Sequence, residues 1–336
     1  MATRGYKVLD SKDVEQFRDS SHDFALDVLT GLKSEPKTLS SKYFYNDAGS
    51  DLFRKIMALD EYYPTDCERE VLTKHASEIC QEMLKKKFNL VDLGAGDGAK
   101  TVVLLKELER IGADVVYVPV DISEGAMKTL VDTVGKDCPD IPISGLVCEY
   151  GDALGWLGSA PEKRQNLVLF LGSNLGNFTK PLAKGFLRRL WNSLAHDDLV
   201  LIGFDMKKDI DVLLSAYNDR EGVTAEFNLN LLSRINRELG GDFDVAKFRH
   251  FGTYDVFLGA MKSYLVSLES QTVRIEKLAC EFEFKAWEPI HTEYSYKYLP
   301  EDIEELARET GYEVQREFAD GRNWFVDAVW RVQKEL

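Results

Sequence analysis

Two rhythms of apolar and polar positions divide this chain. Between residues 88 and 204, short apolar runs at 88–93, 115–120, 143–149, 167–171 and 198–204 read as strands. The stretches between them carry helical spacing, and a helix is expected from about Cys67 to Lys87, ahead of the first run. Such alternation builds a parallel sheet covered by helices. Further upstream, Val14, Phe17, Phe24, Val28 and Leu32 recur near helical spacing and predict a helix over Asp13 to Leu32, in a segment that reads as an appendage. Between Lys207 and Lys285 the strand-helix alternation stops. Segments such as Ala260 to Ser267 alternate there as half-buried strands do, so this region is expected to be a β-containing insertion.

The chain then returns with a helix opened by Pro300-Glu301-Asp302, a strand near 312–318, a turn at Asp320-Gly321 and a last strand from Trp324 to Val332. Helix, strand, tight turn and antiparallel strand close the sheet of a class I methyltransferase rather than that of a dehydrogenase. The expected fold is therefore α/β: a class I methyltransferase (Rossmann-like) seven-stranded sheet with a second, α+β substrate-binding domain. Residues 67–206 and 286–336 are assigned to the sheet domain that binds S-adenosylmethionine. Residues 1–66 and 207–285 are assigned to a substrate-binding lid.

Candidate chemistry starts where the first apolar run, Phe88 to Leu93, meets Gly94-Ala95-Gly96-Asp97-Gly98 and a helix follows from about Lys100. Glycines there let the chain turn sharply and a ligand approach the backbone, while the helix start presents free N–H groups. This turn serves several nucleotide-like cofactors, and its spacing lacks the third glycine of the dinucleotide motif. Asp121 ends the next run, where a carboxylate accepts both hydroxyls of a ribose. Asp152 follows the third run, where a carboxylate can accept from an adenine amino group or simply face solvent. After the fourth run, Gly172-Ser173-Asn174-Leu175-Gly176-Asn177 places small residues and two amides at the sheet edge that holds ligands in open α/β folds. Two aromatic clusters, Tyr43-Phe44-Tyr45 running to Phe53 and Tyr62-Tyr63 before Pro64, lie in the appendage; Ser50 is the expected cap of the intervening helix, and Pro64 an extended bend.

Composition narrows the class. At 336 residues the chain can form two domains. Its 57 acidic and 42 basic residues give a formal charge of −15, which repels phosphate backbones and disfavours nucleic acid as a partner. The five cysteines are scattered without a CxxC pair, and His22, His75, His196, His250 and His291 show no ligand spacing, so no metal is expected. No stretch has the length of a membrane span or the pattern of an export signal, and a cytoplasmic monomer acting on a small molecule is expected.

With these motifs in place, the chain resembles the histidine-specific Nα-methyltransferase family of ergothioneine biosynthesis, which uses S-adenosylmethionine to trimethylate L-histidine to hercynine. The resemblance spans nearly the whole length. It is carried by Tyr45 to Phe53, Glu61 to Thr65, Phe170 to Asn177, Ala216-Tyr217 with Gly222 to Ala225, Ile235 to Gly240, and Thr292 to Ser295. It implies that Gly94, Gly96, Lys100, Asp121 and Asp152 bind the cofactor and that Gly172 lines the pocket. Tyr62, Asn177 and Tyr217 match positions that hold the amino and carboxylate groups of the amino acid, with Tyr62 orienting the reacting amine. Glu293 and Ser295 fall where the family grips the imidazole, and Tyr45, Phe53 and Met261 where the ring is enclosed.

The sequence departs from the family pattern in places. Asn174 stands where related proteins often have threonine, and Tyr296 and Tyr298 add aromatic bulk after the imidazole pair. A related branch methylates the amino group of a prenylated tryptophan, and Ser295-Tyr296-Lys297-Tyr298 is similar to that branch. Glu293 favours imidazole, which can offer two N–H groups, as it does when cationic, where indole offers one. Another aromatic amino acid as substrate, and a non-catalytic protein that keeps the cofactor pocket, remain the rival readings.

Overall fold

A computed structural model describes residues 3–8, 20–81, 87–159 and 164–334. In chain order its first elements are β1 (Arg4–Val8), α1 (Ser20–Lys33), α2 (Asp47–Ile56), α3 (Tyr63–Gln81), β2 (Phe88–Leu93), α4 (Thr101–Arg110), β3 (Val115–Asp121) and α5 (Glu124–Asp137). Next come β4 (Ile143–Val147), α6 (Tyr150–Ser159), β5 (Gln165–Phe170), α7 (Lys180–Ser193), β6 (Leu199–Asp205), α8 (Ile210–Tyr217) and α9 (Val223–Leu239). The chain ends with β7 (Phe248–Asp255), β8 (Ala260–Ser267), β9 (Gln271–Ile275), β10 (Cys280–Phe284), β11 (Pro289–Tyr296), α10 (Pro300–Thr310), β12 (Tyr312–Ala319) and β13 (Phe325–Val332).

Two compact units emerge. The first comprises residues 3–8, Pro64–Lys207 and the chain from Tyr296 onward. Its sheet runs β1-β4-β3-β2-β5-β6-β13-β12, parallel through β6 and antiparallel at β13 and β12. This is the class I methyltransferase order with one strand more than the seven expected. The additional strand is β1, which pairs in parallel with β4 from a segment that the sequence pattern left in the appendage. All five residues of β1 are exposed, so no burial alternation marks it in the sequence.

The centre of the sheet forms for the reason the apolar runs suggest. Every residue of β2 and of β6 is buried, as expected for strands covered by helices on both faces. Leu90, Tyr117, Val168 and Leu201 are fully enclosed. The strand order changes direction at β2, between β3 and β5, and the carboxyl ends of these strands are the ligand edge of such a sheet.

The second unit contains the chain from residue 20 to Tyr63 and Lys208–Ser295. It has a three-stranded sheet in the order β11-β8-β7, a β9-β10 hairpin and the helices α1, α2, α8 and α9. In α9 the buried positions Phe227, Leu231, Ile235 and Leu239 recur every four residues and pack with Phe24, Val28 and Leu32 of α1. β11 lies in this sheet although its residues were grouped by sequence with the methyltransferase domain.

Three local expectations change. Asn46, not Ser50, caps α2: its side chain accepts the Gly49 N–H at 2.8 Å. Pro64 lies in the first turn of α3, where its missing N–H has no helical partner to lose, and not in an extended bend. Of the predicted helices, the parts at 13–19 and 82–86 lie outside the described residues. Among the described residues no helix is long and apolar enough to cross a membrane, and no group of three or more His, Cys, Asp or Glu is arranged to hold a metal.

Candidate active site

In the first unit the glycine turn follows β2 directly. Gly94, Gly96 and Gly98 all adopt positive φ, and Gly94 and Ala95 donate to the Val120 carbonyl at 2.9 and 3.1 Å. A Cβ on Gly94 would meet the Tyr150 hydroxyl at 2.7 Å and the Asn174 amide at 3.1 Å. The bare backbone face at Gly94 is therefore bordered by polar groups, a donor set suited to a cofactor that carries hydroxyls, amines and a carboxylate.

Asp121 at the end of β3 holds this turn. Its Oδ2 accepts the Gly96 N–H at 2.9 Å, and its Oδ1 accepts the Ser123 N–H at 2.9 Å. Burial raises its carboxyl above the usual range, and these backbone bonds oppose that shift. A carboxylate has about four acceptor positions, more than these backbone bonds use, which leaves acceptor capacity for ribose hydroxyls. Asp92, buried at the end of β2, accepts from Thr101 Oγ1 at 2.5 Å and from the Tyr117 hydroxyl at 2.9 Å, which ties strand β2 to the start of α4 and to β3. Burial pushes the Asp92 carboxyl up to about 6 against those two hydrogen bonds. Asp152 is half-buried in the first turn of α6.

Beyond β5 the chain turns through Gly172 and Ser173, both at positive φ, into a short 3-10 turn at Asn174–Asn177. Ser173 is a non-glycine residue in the left-handed region, and its Oγ accepts the Asp205 N–H at 3.3 Å. Gly172 N–H donates to Glu68 Oε1 at 2.6 Å, and Glu68 Oε2 pairs with Lys100 Nζ at 2.5 Å. Lys100 immediately precedes α4, beside helix N–H groups that favour an anion. Asn174 and Asn177 are half-buried at this same edge.

In the second unit an aromatic group assembles from α2, α8, α9 and the chain around them. Tyr45 and Phe53 meet edge to face at 5.6 Å, and Phe227 lies 5.7 and 5.8 Å from them. Phe53 reaches Tyr62 at 6.2 Å, and Tyr62 reaches Tyr217 at 6.5 Å. The Tyr217 hydroxyl donates to Ser295 Oγ at 2.7 Å, while His250 Nε2 donates to the Tyr217 carbonyl at 3.0 Å. Five sequence-selected residues, Tyr45, Phe53, Tyr62, Tyr217 and Ser295, thus form one connected set.

Glu293 is half-buried and two residues before Ser295 on β11, so both side chains project from the same face of the strand. That strand is anchored by Thr292, whose hydroxyl contacts Asn228 Oδ1 of α9 and the Ser263 carbonyl of β8, each at 3.0 Å. Met261 lies buried on β8, the strand next to β11. Gly172 and Asn177, also assigned to the substrate, belong to the first unit.

Phe227 is the aromatic residue that sequence motifs did not select; its four-residue spacing with Leu231 and Ile235 marks the buried face of a helix. Glu68 and Asp327 were also missed. Each is a lone acid in an apolar pattern, Glu68 with Val71, Leu72 and Ile79 on the buried side of α3, and Asp327 within the buried strand β13. A charge at a core position is itself a signal.

The residues after Ser295 are occupied within the first unit. Lys297 and Asp205 form a fully buried ion pair at 2.8 Å, and Tyr298 packs edge to face on Phe204 at 5.0 Å.

Comparison with known proteins identifies the family. A family described as histidine-specific methyltransferase, S-adenosylmethionine-dependent, matches residues 24–332. The chain is 37% identical to the histidine N-alpha-methyltransferase of Mycolicibacterium smegmatis, over 85% of this chain and 87% of that protein. It is 31% identical to ergothioneine biosynthesis protein 1 of Neurospora crassa, over 87% of this chain and 33% of that longer protein. Similarity also extends to the 4-dimethylallyltryptophan N-methyltransferase of Claviceps fusiformis, 30% identical over 56% of each chain. The protein is thus an enzyme that takes S-adenosylmethionine as its cofactor, and the chain belongs to the histidine-specific methyltransferase family.

Proposed function

We propose that this enzyme trimethylates the α-amino group of L-histidine to hercynine, the first step of ergothioneine biosynthesis. The observation that carries this reading is the 2.7 Å hydrogen bond between Tyr217 and Ser295, which joins the residue assigned to the amino-acid backbone to one assigned to the imidazole. Both belong to the aromatic set that includes Tyr62. Family membership and the histidine N-alpha-methyltransferase relative support the same substrate.

S-adenosylmethionine supplies a sulfonium-bound methyl group. Displacement at that carbon needs little covalent help, so the protein's work is to align a neutral amine and exclude water. A free α-amino group titrates near ~8, so much of the substrate is protonated at neutral pH and must lose a proton before attack. Tyr62 accepts a hydrogen bond from the amine and directs its lone pair, and the proton leaves to water. Asn177 and Tyr217 hold the carboxylate, while Glu293 and Ser295 take the two imidazole nitrogens. The faces of Tyr45, Phe53 and Tyr62 favour the fixed cation of the product. Gly94, Gly96, Lys100, Asp121 and Asp152 bind the cofactor. The second unit, the chain from residue 20 to Tyr63 and Lys208–Ser295, supplies residues that recognise the amino acid, and the enzyme works as a cytoplasmic monomer without nucleic acid.

The packing of Tyr298 bears on the prenylated-tryptophan alternative: its ring lies against Phe204, beside the buried Lys297–Asp205 pair, so Tyr298 serves the sheet core and offers no aromatic surface to an indole. Mass spectrometry after multiple turnovers with histidine, tryptophan and prenylated tryptophan separates the substrates. A trimethylated histidine product is expected. No mass change on histidine overturns the reading, and turnover itself excludes a non-catalytic role.

A further inference from the structure

Glu68 lies deep in the first unit with no exposed surface, and so does Asp327. Asp327 pairs across the β13-β6 ladder with Gly203, and a Cβ on Gly203 would overlap Glu68 Oε1. The missing side chain at Gly203 is therefore what lets Glu68 lie against the sheet next to Asp327. From there Glu68 reaches Lys100 Nζ at 2.5 Å and the Gly172 N–H at 2.6 Å. A Cβ on Gly172 would itself stand 3.2 Å from Lys100 Nζ. One carboxylate thus ties the residue before α4 to the turn after β5.

We propose that Glu68 is a positioning residue for the cofactor, its carboxylate holding the Lys100 ammonium and the Gly172 turn in fixed relation, with Asp327 as a neutral neighbour that shares the buried space. The inference rests on the reading of Lys100 as a cofactor residue. The Lys100 ammonium acts on both acids. Glu68 takes it through the 2.5 Å ion pair at Oε2, a contact of charge and not an aligned hydrogen bond, and neither oxygen of Asp327 has a hydrogen-bond or ion-pair partner among the described residues. A second buried, unpaired negative charge would be costly, so Asp327 keeps its proton. Burial, and then the charge of Glu68, hold its carboxyl well above the ordinary range, while Lys100 opposes this. Lys100 left without its anion would be free to swing from the turn, and the Gly172 N–H would lose a charge-assisted bond.

The test compares Glu68→Gln, Glu68→Asp, Asp327→Asn, Lys100→Met and the double variant Glu68→Gln/Lys100→Met. Affinity for S-adenosylhomocysteine is measured by calorimetry, together with steady-state kinetics and thermal unfolding. Glu68→Gln is expected to weaken cofactor affinity by about tenfold or more and raise the cofactor KM, with kcat recovering at saturation and the histidine KM nearly unchanged. Glu68→Asp restores part of the affinity. Asp327→Asn, which resembles the protonated acid, changes affinity by less than about threefold. Adding Glu68→Gln to Lys100→Met costs little more than Lys100→Met alone.

Native cofactor affinity in folded Glu68→Gln, with only the unfolding temperature lowered, overturns the proposal. Equal losses in Asp327→Asn and Glu68→Gln overturn the neutral role of Asp327. Native affinity in Lys100→Met instead rejects the cofactor reading of Lys100, a separate result. Should Glu68→Gln not fold, Gly203→Ala displaces the same carboxylate without changing charge, and native affinity in that variant is equally fatal.

Discussion

Asp121 and Gly96 are joined by one hydrogen bond of 2.9 Å from the glycine turn to the end of β3. The acid proposed to bind the ribose therefore also shapes the loop on which the cofactor would lie. Removing it should affect cofactor and substrate unequally. Asp121→Ala is expected to weaken S-adenosylhomocysteine binding by about tenfold to a hundredfold, equivalent to loss of one or two charge-assisted hydrogen bonds. Binding of histidine to the saturated complex should change little. Calorimetry with each ligand checks this, and unchanged cofactor affinity would sink the ribose assignment.

Glu293→Ala should show the opposite preference. The side chain is half-buried on β11, on the same strand face as Ser295, and an imidazole held by both loses its acidic partner. Histidine affinity is expected to fall by about tenfold to a hundredfold or more while cofactor affinity stays within about twofold. Equal loss of both ligands would contradict a role in imidazole recognition. Tyr217→Phe removes the hydroxyl that donates to Ser295 and should raise the histidine KM more than it lowers kcat.

The parallel strands were legible because strands covered on both faces are dominated by apolar residues, as β2, β3, β5 and β6 are despite Asn89 and Asp92 within β2. β1 was not legible: Arg4-Gly5-Tyr6-Lys7-Val8 is an exposed edge strand held by backbone pairing to β4, and backbone pairing leaves no side-chain pattern. The aromatic set was largely legible from Tyr45, Phe53, Tyr62 and Tyr217, whereas Phe227 hid inside an ordinary helical stripe. Contacts between residues distant in sequence set the rest. Nothing near Glu68 in the chain announces Lys100, Gly172 or Gly203 as its neighbours.

Asp92 gives a pH-dependent stability test. Its folded-state carboxyl titrates at about 6, above the 3.8 of an unperturbed aspartate, mainly because of burial. The folded state therefore prefers the protonated form. The penalty is absent below about 3.8, grows as pH rises to about 6 and is complete above it, amounting to ~3 kcal/mol. Asp92→Asn retains an acceptor for Thr101 or Tyr117 and carries no charge. Relative to the parent protein it should gain ~2 kcal/mol between pH 4.5 and pH 7.5, measured by denaturant unfolding at the two values. A pH-independent difference would mean that Asp92 does not carry this proton.

Asn46 couples local helix chemistry to the aromatic set. Its Oδ1 accepts the Gly49 N–H at 2.8 Å and the Asn230 Nδ2–H at 3.0 Å, so one oxygen both caps α2, which carries Phe53, and ties it to α9, which carries Phe227. Asn46→Ala removes both bonds and leaves the first turn of α2 with an unsatisfied donor. A loss of about 1 to 2 kcal/mol is expected, the usual size of a cap deletion with a modest tertiary term. Asn46→Asp keeps the cap and the acceptor toward Asn230, and should recover most of that loss. If the cap matters only for folding, histidine KM stays constant in folded Asn46→Ala. If it also sets the spacing of Phe53 and Phe227, 5.8 Å between ring centres, KM for histidine rises several-fold while cofactor affinity does not, and the second outcome is the one this arrangement predicts.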